Sequence, residues 1–222
     1  MSMTTTTKTT ANQKKPLENR SYQFEVRAEK NEENGTFITG RPIVYESKTN
    51  IGPFDEIIHR GALKKTDLTD VRFLVNHDIS KIPLARSRKN TPNSTMQLSV
   101  DDDGMSIRVN LDVENNSEAR SLYSAVERGD ITGMSFMFGI DDEEWEALDS
   151  DHPTRHIRGI STVVEVSAVT FPAYEDTEIN ARCKEALENA RQAVETARSN
   201  EQRSVETDLE LLKMKTKILG GN

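Results

Sequence analysis

Between Ser21 and Phe171 the chain is divided into short runs in which apolar and polar residues alternate, with turn-forming residues between them. Alternation puts every second side chain on one face of an extended strand, whereas a helical face needs spacings of three and four. Tyr22, Phe24 and Val26 alternate within Ser21–Arg27, and Thr36–Tyr45 resumes after Asn34-Gly35 with its own break at Gly40–Pro42. Val71–Val75 is a short apolar run that ends at Asn76-His77-Asp78. Thr95–Val100 and Met105–Val113 flank Asp101-Asp102-Asp103-Gly104. Asp-Gly between two alternating runs signals a hairpin, and the longer ligand loop that would turn this acidic cluster into an EF-hand calcium site is missing. Ile131–Phe138 reads as a buried strand, and Ile157–Phe171 as a long β-branched strand with a break near Gly159. The acidic stretch Asp141–Pro153 around Trp145 reads as a loop.

One helix is signalled inside this region. Asn115-Asn116-Ser117 offers N-caps, Ala119, Leu122, Tyr123 and Val126 follow at helical spacing, and Gly129 closes it. Strands at short spacing with few crossover helices predict a mainly β, α+β domain built as an antiparallel barrel or sandwich. A doubly wound α/β sheet does not fit, because strands and helices do not alternate.

Apolar residues make up only 34% of the 222 residues and charged residues 30%, a low apolar share that predicts chain lying outside the core. Residues 1–21 are rich in Thr, Lys and Asn and read as a disordered tail. Residues 22–174 hold the strands, and residues 175–222 read as a helical extension interrupted near Ser199–Gln202. In that extension Val205, Leu209, Leu212 and Leu219 approximate heptad spacing without sustaining three or four heptads. A charged helix that docks on the body or extends from it is the preferred reading over a dimerisation zipper.

Charge divides the chain the same way. The first 21 residues carry four basic and one acidic side chain, whereas residues 22–174 carry 17 basic and 26 acidic ones. An acidic body argues against nucleic-acid binding, which needs a basic footprint. No run approaches the roughly 18 apolar residues of a membrane span, and the first 21 residues lack the apolar segment of a signal peptide. The lone Cys183 excludes an intramolecular disulfide, and no Cys/His cluster reads as zinc ligands, so a protein of a reducing cytoplasm without metal or cofactor is expected. His152 and His156 stand four apart, but Pro153 lies between them and the stretch is loop-like, which argues against paired metal ligands.

Three strands each carry one polar residue out of place. His77 stands where a buried strand ends, a position from which scaffolds present polar groups. Ser135 is the hydroxyl within the apolar run Ile131–Phe138, after Gly133. Glu165 is the carboxylate within Ser161–Val169, and such a group is seldom buried unless paired. Each has a plain structural explanation: a surface histidine, a core serine bonded to a carbonyl, a paired strand carboxylate. Together their types complete a serine–histidine–carboxylate set, in which the carboxylate orients the imidazole and the imidazole takes the serine proton. The Gly-x-Ser-x-Gly elbow of α/β-hydrolases is absent, so a serine mechanism would run on another fold.

Five segments in order then resemble a known family: Gly40-Arg41-Pro42-Ile43-Val44-Tyr45; Phe54–Ile58 with Arg60-Gly61-Ala62-Leu63; Val75-Asn76-His77-Asp78 with Ile82-Pro83-Leu84-Ala85; Gly129–Phe138; and Glu165–Tyr174. Over about residues 22–180 the sequence resembles the prohead proteases of tailed bacteriophages, a family related in fold to the herpesvirus assemblin proteases. The resemblance implies a closed antiparallel β-barrel surrounded by helices, with His77 as general base, Ser135 as nucleophile and Glu165 as the residue that orients the histidine. It places the backbone N–H of Ala173 or Tyr174 at the oxyanion hole, since Pro172 has none to donate. It implies a serine endopeptidase that cleaves scaffold, or the scaffolding segment of the major capsid protein, and itself, inside the immature capsid in the host cytoplasm. The tails would be cleavable or targeting segments, and a homodimer or larger oligomer stays open. The rival reading is a non-enzymatic assembly protein that uses the same barrel and the C-terminal helix for binding.

Overall fold

The computed structural model describes residues 6–8, 17–22, 26–31, 35–170 and 177–219. In chain order the elements are β1 (Thr6–Lys8), β2 (Glu18–Tyr22), β3 (Arg27–Asn31), β4 (Gly35–Val44), β5 (Lys48–Asn50), β6 (Asp55–Ile58), β7 (Asp70–Val75), β8 (Ala85–Arg88), β9 (Met96–Asp101), β10 (Gly104–Asn110), α1 (Ser117–Arg128), β11 (Gly133–Glu146), β12 (Thr154–Val169) and α2 (Thr177–Leu219). The fold is mainly β with two helices among the described residues.

The long β11–β12 hairpin is the spine of the larger sheet. β11 and β12 pair antiparallel from Gly133↔Val169 to Glu146↔Thr154, with register shifts between Met137 and Glu143. On its other edge β11 takes β2 and β1, both antiparallel. The other edge of β12 takes β6 near its start and β7 near its end, both parallel. β5 and β8 pair antiparallel with β6 and β7 respectively. A second sheet runs β3-β4-β10-β9. Apolar side chains of both sheets, among them Ile38, Ile43, Phe73, Met105, Ile107, Phe136 and Val166, form one buried core with Leu122 and Val126 of α1.

The closed antiparallel barrel expected from the sequence is not found: among the described residues both sheets are open, and the larger one is mixed. Closure requires the end strands of a sheet to bond each other. Here the path of the larger sheet ends at β1 and β5, which do not pair, and β3, β4, β9 and β10 bond among themselves. Two further expectations change. Asp141–Glu146 is strand rather than loop, because Glu143 and Trp145 alternate inward to buried positions. α2 runs unbroken through Ser199–Gln202, since that stretch contains weak helix formers but neither Gly nor Pro.

The local signals that did set the chain are visible in detail. The Asn116 side chain accepts from the Glu118 and Ala119 N–H groups at 2.9 and 3.2 Å, and Gly129 ends α1 in the left-handed conformation. β9 and β10 form the hairpin through Asp101–Gly104. Glu18–Ser21, which composition groups with the N-terminal tail, lie in β2 and bond to β11. The start of α2 docks by burying Cys183, Leu187 and Ala190 against Ile51, Phe54, Trp145 and Leu148. Its far end leaves Val205, Leu209 and Leu212 half or more exposed. No helix among the described residues is long and apolar enough to cross a membrane.

Candidate active site

Sheet register brings the three out-of-place polar residues to one spot. Ser135 of β11 pairs with Ser167 of β12, and Glu165 lies two residues earlier on the same face. β7 runs parallel to β12 with Leu74 opposite Ser167, so the turn after β7 emerges beside them. That turn carries His77. Asn76 and His77 both have positive φ, 52° and 57°, and the Asp78 N–H donates to the Val75 carbonyl at 3.1 Å. Asn and His are among the side chains that tolerate this left-handed region best. Asn76 Oδ1 accepts from the Thr170 N–H at 2.9 Å and Asn76 Nδ2 donates to Thr170 Oγ1 at 3.0 Å, which ties the turn to the end of β12.

Within this frame His77 bridges the other two. Its Nδ1 bonds Glu165 Oε1 in a short contact, and its Nε2 lies 2.5 Å from Ser135 Oγ. Glu165 Oε2 accepts from Ser167 Oγ at 2.6 Å, and Ser167 Oγ accepts from the His77 backbone N–H at 3.1 Å. Ser135, Glu165 and Ser167 are buried, with 0%, 1% and 0% exposure. Ser135 Oγ also lies 2.9 Å from the Arg20 carbonyl, so its single proton has two acceptors within reach. A carboxylate, an imidazole and a hydroxyl in this order can pass the hydroxyl proton to the imidazole while the carboxylate stabilises the resulting cation. Beside the His77 turn a cavity of about 440 Å³ is lined by Asn76, Asp78, Leu84, Leu122, Ala125 and Ile131. Ala173 and Tyr174, the candidates for the oxyanion hole, lie outside the described residues.

A second buried polar cluster sits at the other end of β12. Arg20 donates to both oxygens of Glu56 at 2.6 and 2.8 Å and to Glu18 in a short contact. Arg155 donates to Glu143 at 2.7 Å and to the two oxygens of Glu18 at 2.7 and 2.9 Å. Burial opposes ionisation of Glu18, but the Arg155 and Arg20 guanidiniums overcome it and hold its carboxyl at about 2. The cluster clamps β2 onto β6, β11 and β12. The sequence reading did not single it out: Arg20 stands in a stretch without apolar residues and Arg155 falls between the acidic stretch and the β-branched run, so neither is marked as a charge within an apolar strand.

The remaining candidates are dispersed. His156 Nδ1 meets His59 Nε2 at 2.9 Å in a stacked pair, with Glu46 beyond His59 and Glu146 beyond His156, each 3.1 Å away. His152 bonds Asp55 instead, so His152 and His156 do not share a partner. No group of three or more side chains able to hold a metal ion occurs among the described residues. Cys183 is buried, and burial pushes its thiol above the usual range, which keeps it protonated and unreactive.

No curated protein matches the chain. Among solved structures, the bacteriophage T4 capsid assembly protease gp21 is similar at 12% identity and a TM-score of 0.33, over 68% of this chain and 98% of that one. A family model described as caudovirus prohead serine protease matches residues 22–192, which takes in nearly all of the strand-rich body and the docked start of α2. That span is most of the chain, and on it the chain belongs to the caudovirus prohead serine protease family.

Proposed function

We propose that this chain is a serine endopeptidase in which Ser135 is the nucleophile, His77 the general acid and base, and Glu165 the carboxylate that orients His77. The observation that carries the reading is the placement of His77 between Glu165 and Ser135, with Nε2 2.5 Å from Oγ. In the first step Oγ bonds to the scissile carbonyl carbon as its proton passes to Nε2, and the carbonyl π electrons move onto oxygen. The tetrahedral intermediate collapses, the C–N bond breaks, and Nε2 returns the proton to the leaving amine. Water then attacks the acyl-enzyme, gives one proton to Nε2, and the C–Oγ bond breaks as Oγ takes that proton back. We assign the developing oxyanion to the backbone N–H of Ala173 or Tyr174, because this stabilisation needs donors aimed at the oxygen.

Substrates on this reading are scaffold, or the scaffolding segment of the major capsid protein, together with the protease's own tails, cut inside the immature capsid. The cavity beside His77 is of a size that takes peptide side chains, within the range of about 300–1,000 Å³ for ligand pockets. Ser135 has no exposed surface, so the reading includes a movement of the covering chain before a peptide reaches Oγ. The exposed apolar residues Val205, Leu209 and Leu212 favour a binding role for the end of α2, which by itself would suit an assembly protein. Intact mass over time separates the two roles. Tail fragments lost from the wild type and not from Ser135→Ala establish the protease. Equal behaviour of both proteins, alone and when co-expressed with the capsid protein, refutes it.

A further inference from the structure

We propose that Ser167 is a positioning residue of this site: one buried hydroxyl fixes both the carboxylate and the turn that carries the imidazole. The inference rests on the assignment of Ser135, His77 and Glu165 made above, and it adds a fourth residue that acts through them.

The bonds of Ser167 leave no choice of direction. An ionised carboxylate only accepts and a backbone N–H only donates. The Ser167 proton therefore goes to Glu165 Oε2, 2.6 Å away, and an Oγ lone pair takes the His77 N–H at 3.1 Å. Glu165 divides its oxygens, Oε1 to the imidazole and Oε2 to Ser167. With Glu165 only 1% exposed, water does not substitute for the hydroxyl. The same hydroxyl satisfies the N–H of a residue held at φ 57°, a conformation that persists only when its surroundings enforce it. Ladder pairing then places this anchor opposite Ser135 itself. One side chain thereby sets the carboxylate and the base relative to each other, on a strand whose backbone register holds the nucleophile opposite.

Ser167 also bears on the proton affinity of the His77–Glu165 pair. Its hydrogen bond to the carboxylate is strongest when the pair carries a net negative charge, with His77 neutral. It weakens once His77 takes a proton and the pair becomes neutral overall. Removing the hydroxyl destabilises the unprotonated pair more than the protonated one. The pair then binds its proton at higher pH, and the acid limb of activity moves upward.

The test is the rate at which the full chain is labelled at Ser135 by a fluorophosphonate probe, across pH, for the wild type, Ser167→Ala and Ser167→Thr. The loss of one hydrogen bond to a charged group should lower the maximal labelling rate about 10- to 100-fold in Ser167→Ala at unchanged probe affinity. The acid limb should shift upward, and Ser167→Thr, which keeps a hydroxyl, should recover most of both. Unchanged rate and pH profile in Ser167→Ala overturn the inference. So does a slowed rate with an unmoved acid limb that Ser167→Thr fails to recover, since that marks a packing defect. Failure of the wild type to label, or labelling that survives in Ser135→Ala, refutes the triad assignment instead.

Discussion

Glu18→Gln tests the buried ion cluster, because the substitution keeps the shape of the side chain and removes only its charge. Glu18 belongs to β2, and both of its oxygens face Arg155. Its carboxyl is held at about 2 against an ordinary 4.5. The folded value is the depressed one, so the stabilisation is complete above pH 4.5 and is lost as pH falls from there through about 2. A difference of this size, at about 1.4 kcal/mol for each pH unit, comes to about 3 kcal/mol. Wild type should therefore be the more stable protein at neutral pH, and its lead over Glu18→Gln should shrink by about 3 kcal/mol on acidification. Urea unfolding followed by fluorescence reads this directly. The single tryptophan, Trp145, is fully buried with the Arg155 guanidinium 5.5 Å from its ring. Carboxylates remote from the cluster titrate alike in both proteins and cancel in the difference, whereas Glu56 and Glu143, which share Arg20 and Arg155 with Glu18, add to it. If the two stability curves stay parallel from neutral pH down to about 2, Glu18 is not held by Arg155, and the clamp on β2 has been misread.

Glu165→Gln should lower the rate of Ser135-dependent cleavage by on the order of 10³–10⁴ while leaving the thermal midpoint nearly unchanged, because the amide holds the wrong imidazole tautomer without altering shape; a modest loss, below about tenfold, removes Glu165 from the mechanism. Gly104→Ala should destabilise by at least about 1–3 kcal/mol from backbone conformation alone. Gly104 has φ 140°, and an added Cβ would lie 2.0 Å from the Ile43 carbonyl oxygen; a midpoint within error of the wild type in denaturant would show that the β4–β10 contact is looser than described.

Local elements were legible where one short signal decides them. The cap at Asn116, the stop at Gly129 and the turn at Asp101–Gly104 each depend on neighbours a few residues away. The three polar residues that come together in the candidate site were legible for a related reason, since a polar group inside an apolar strand costs free energy unless something meets it. Sheet closure was not legible. Alternation says which face a residue takes and nothing about which strand lies beside it, so the parallel pairing of β6 and β7 with β12 left no mark in the pattern. The first part of β2 was missed, and only its end at Ser21 and Tyr22 fell within an expected strand, because Glu18-Asn19-Arg20-Ser21 has no apolar member. That strand is held by Glu56, Arg155 and the ladder of β11, and ion pairing to residues far along the chain has no local periodicity.

The two polar clusters on β12 show why the same sequence signal leads to different chemistry. At Arg155 and Arg20 the carboxylates meet guanidiniums, which stay protonated at every pH a protein experiences. Such a cluster can fix strands in place but has no proton to exchange. Removing one partner leaves a buried charge, a cost of about 3–5 kcal/mol, which suits a clamp. At Glu165 the carboxylate meets an imidazole, the side chain whose charge changes near neutral pH, and the imidazole in turn meets a hydroxyl. Only this second arrangement can move a proton along its length. The register that pairs Ser135 with Ser167 and the turn that swings His77 over them are therefore the features on which the proposed activity depends, while the arginine cluster holds β2, with the Arg20 carbonyl that contacts Ser135, against the same hairpin.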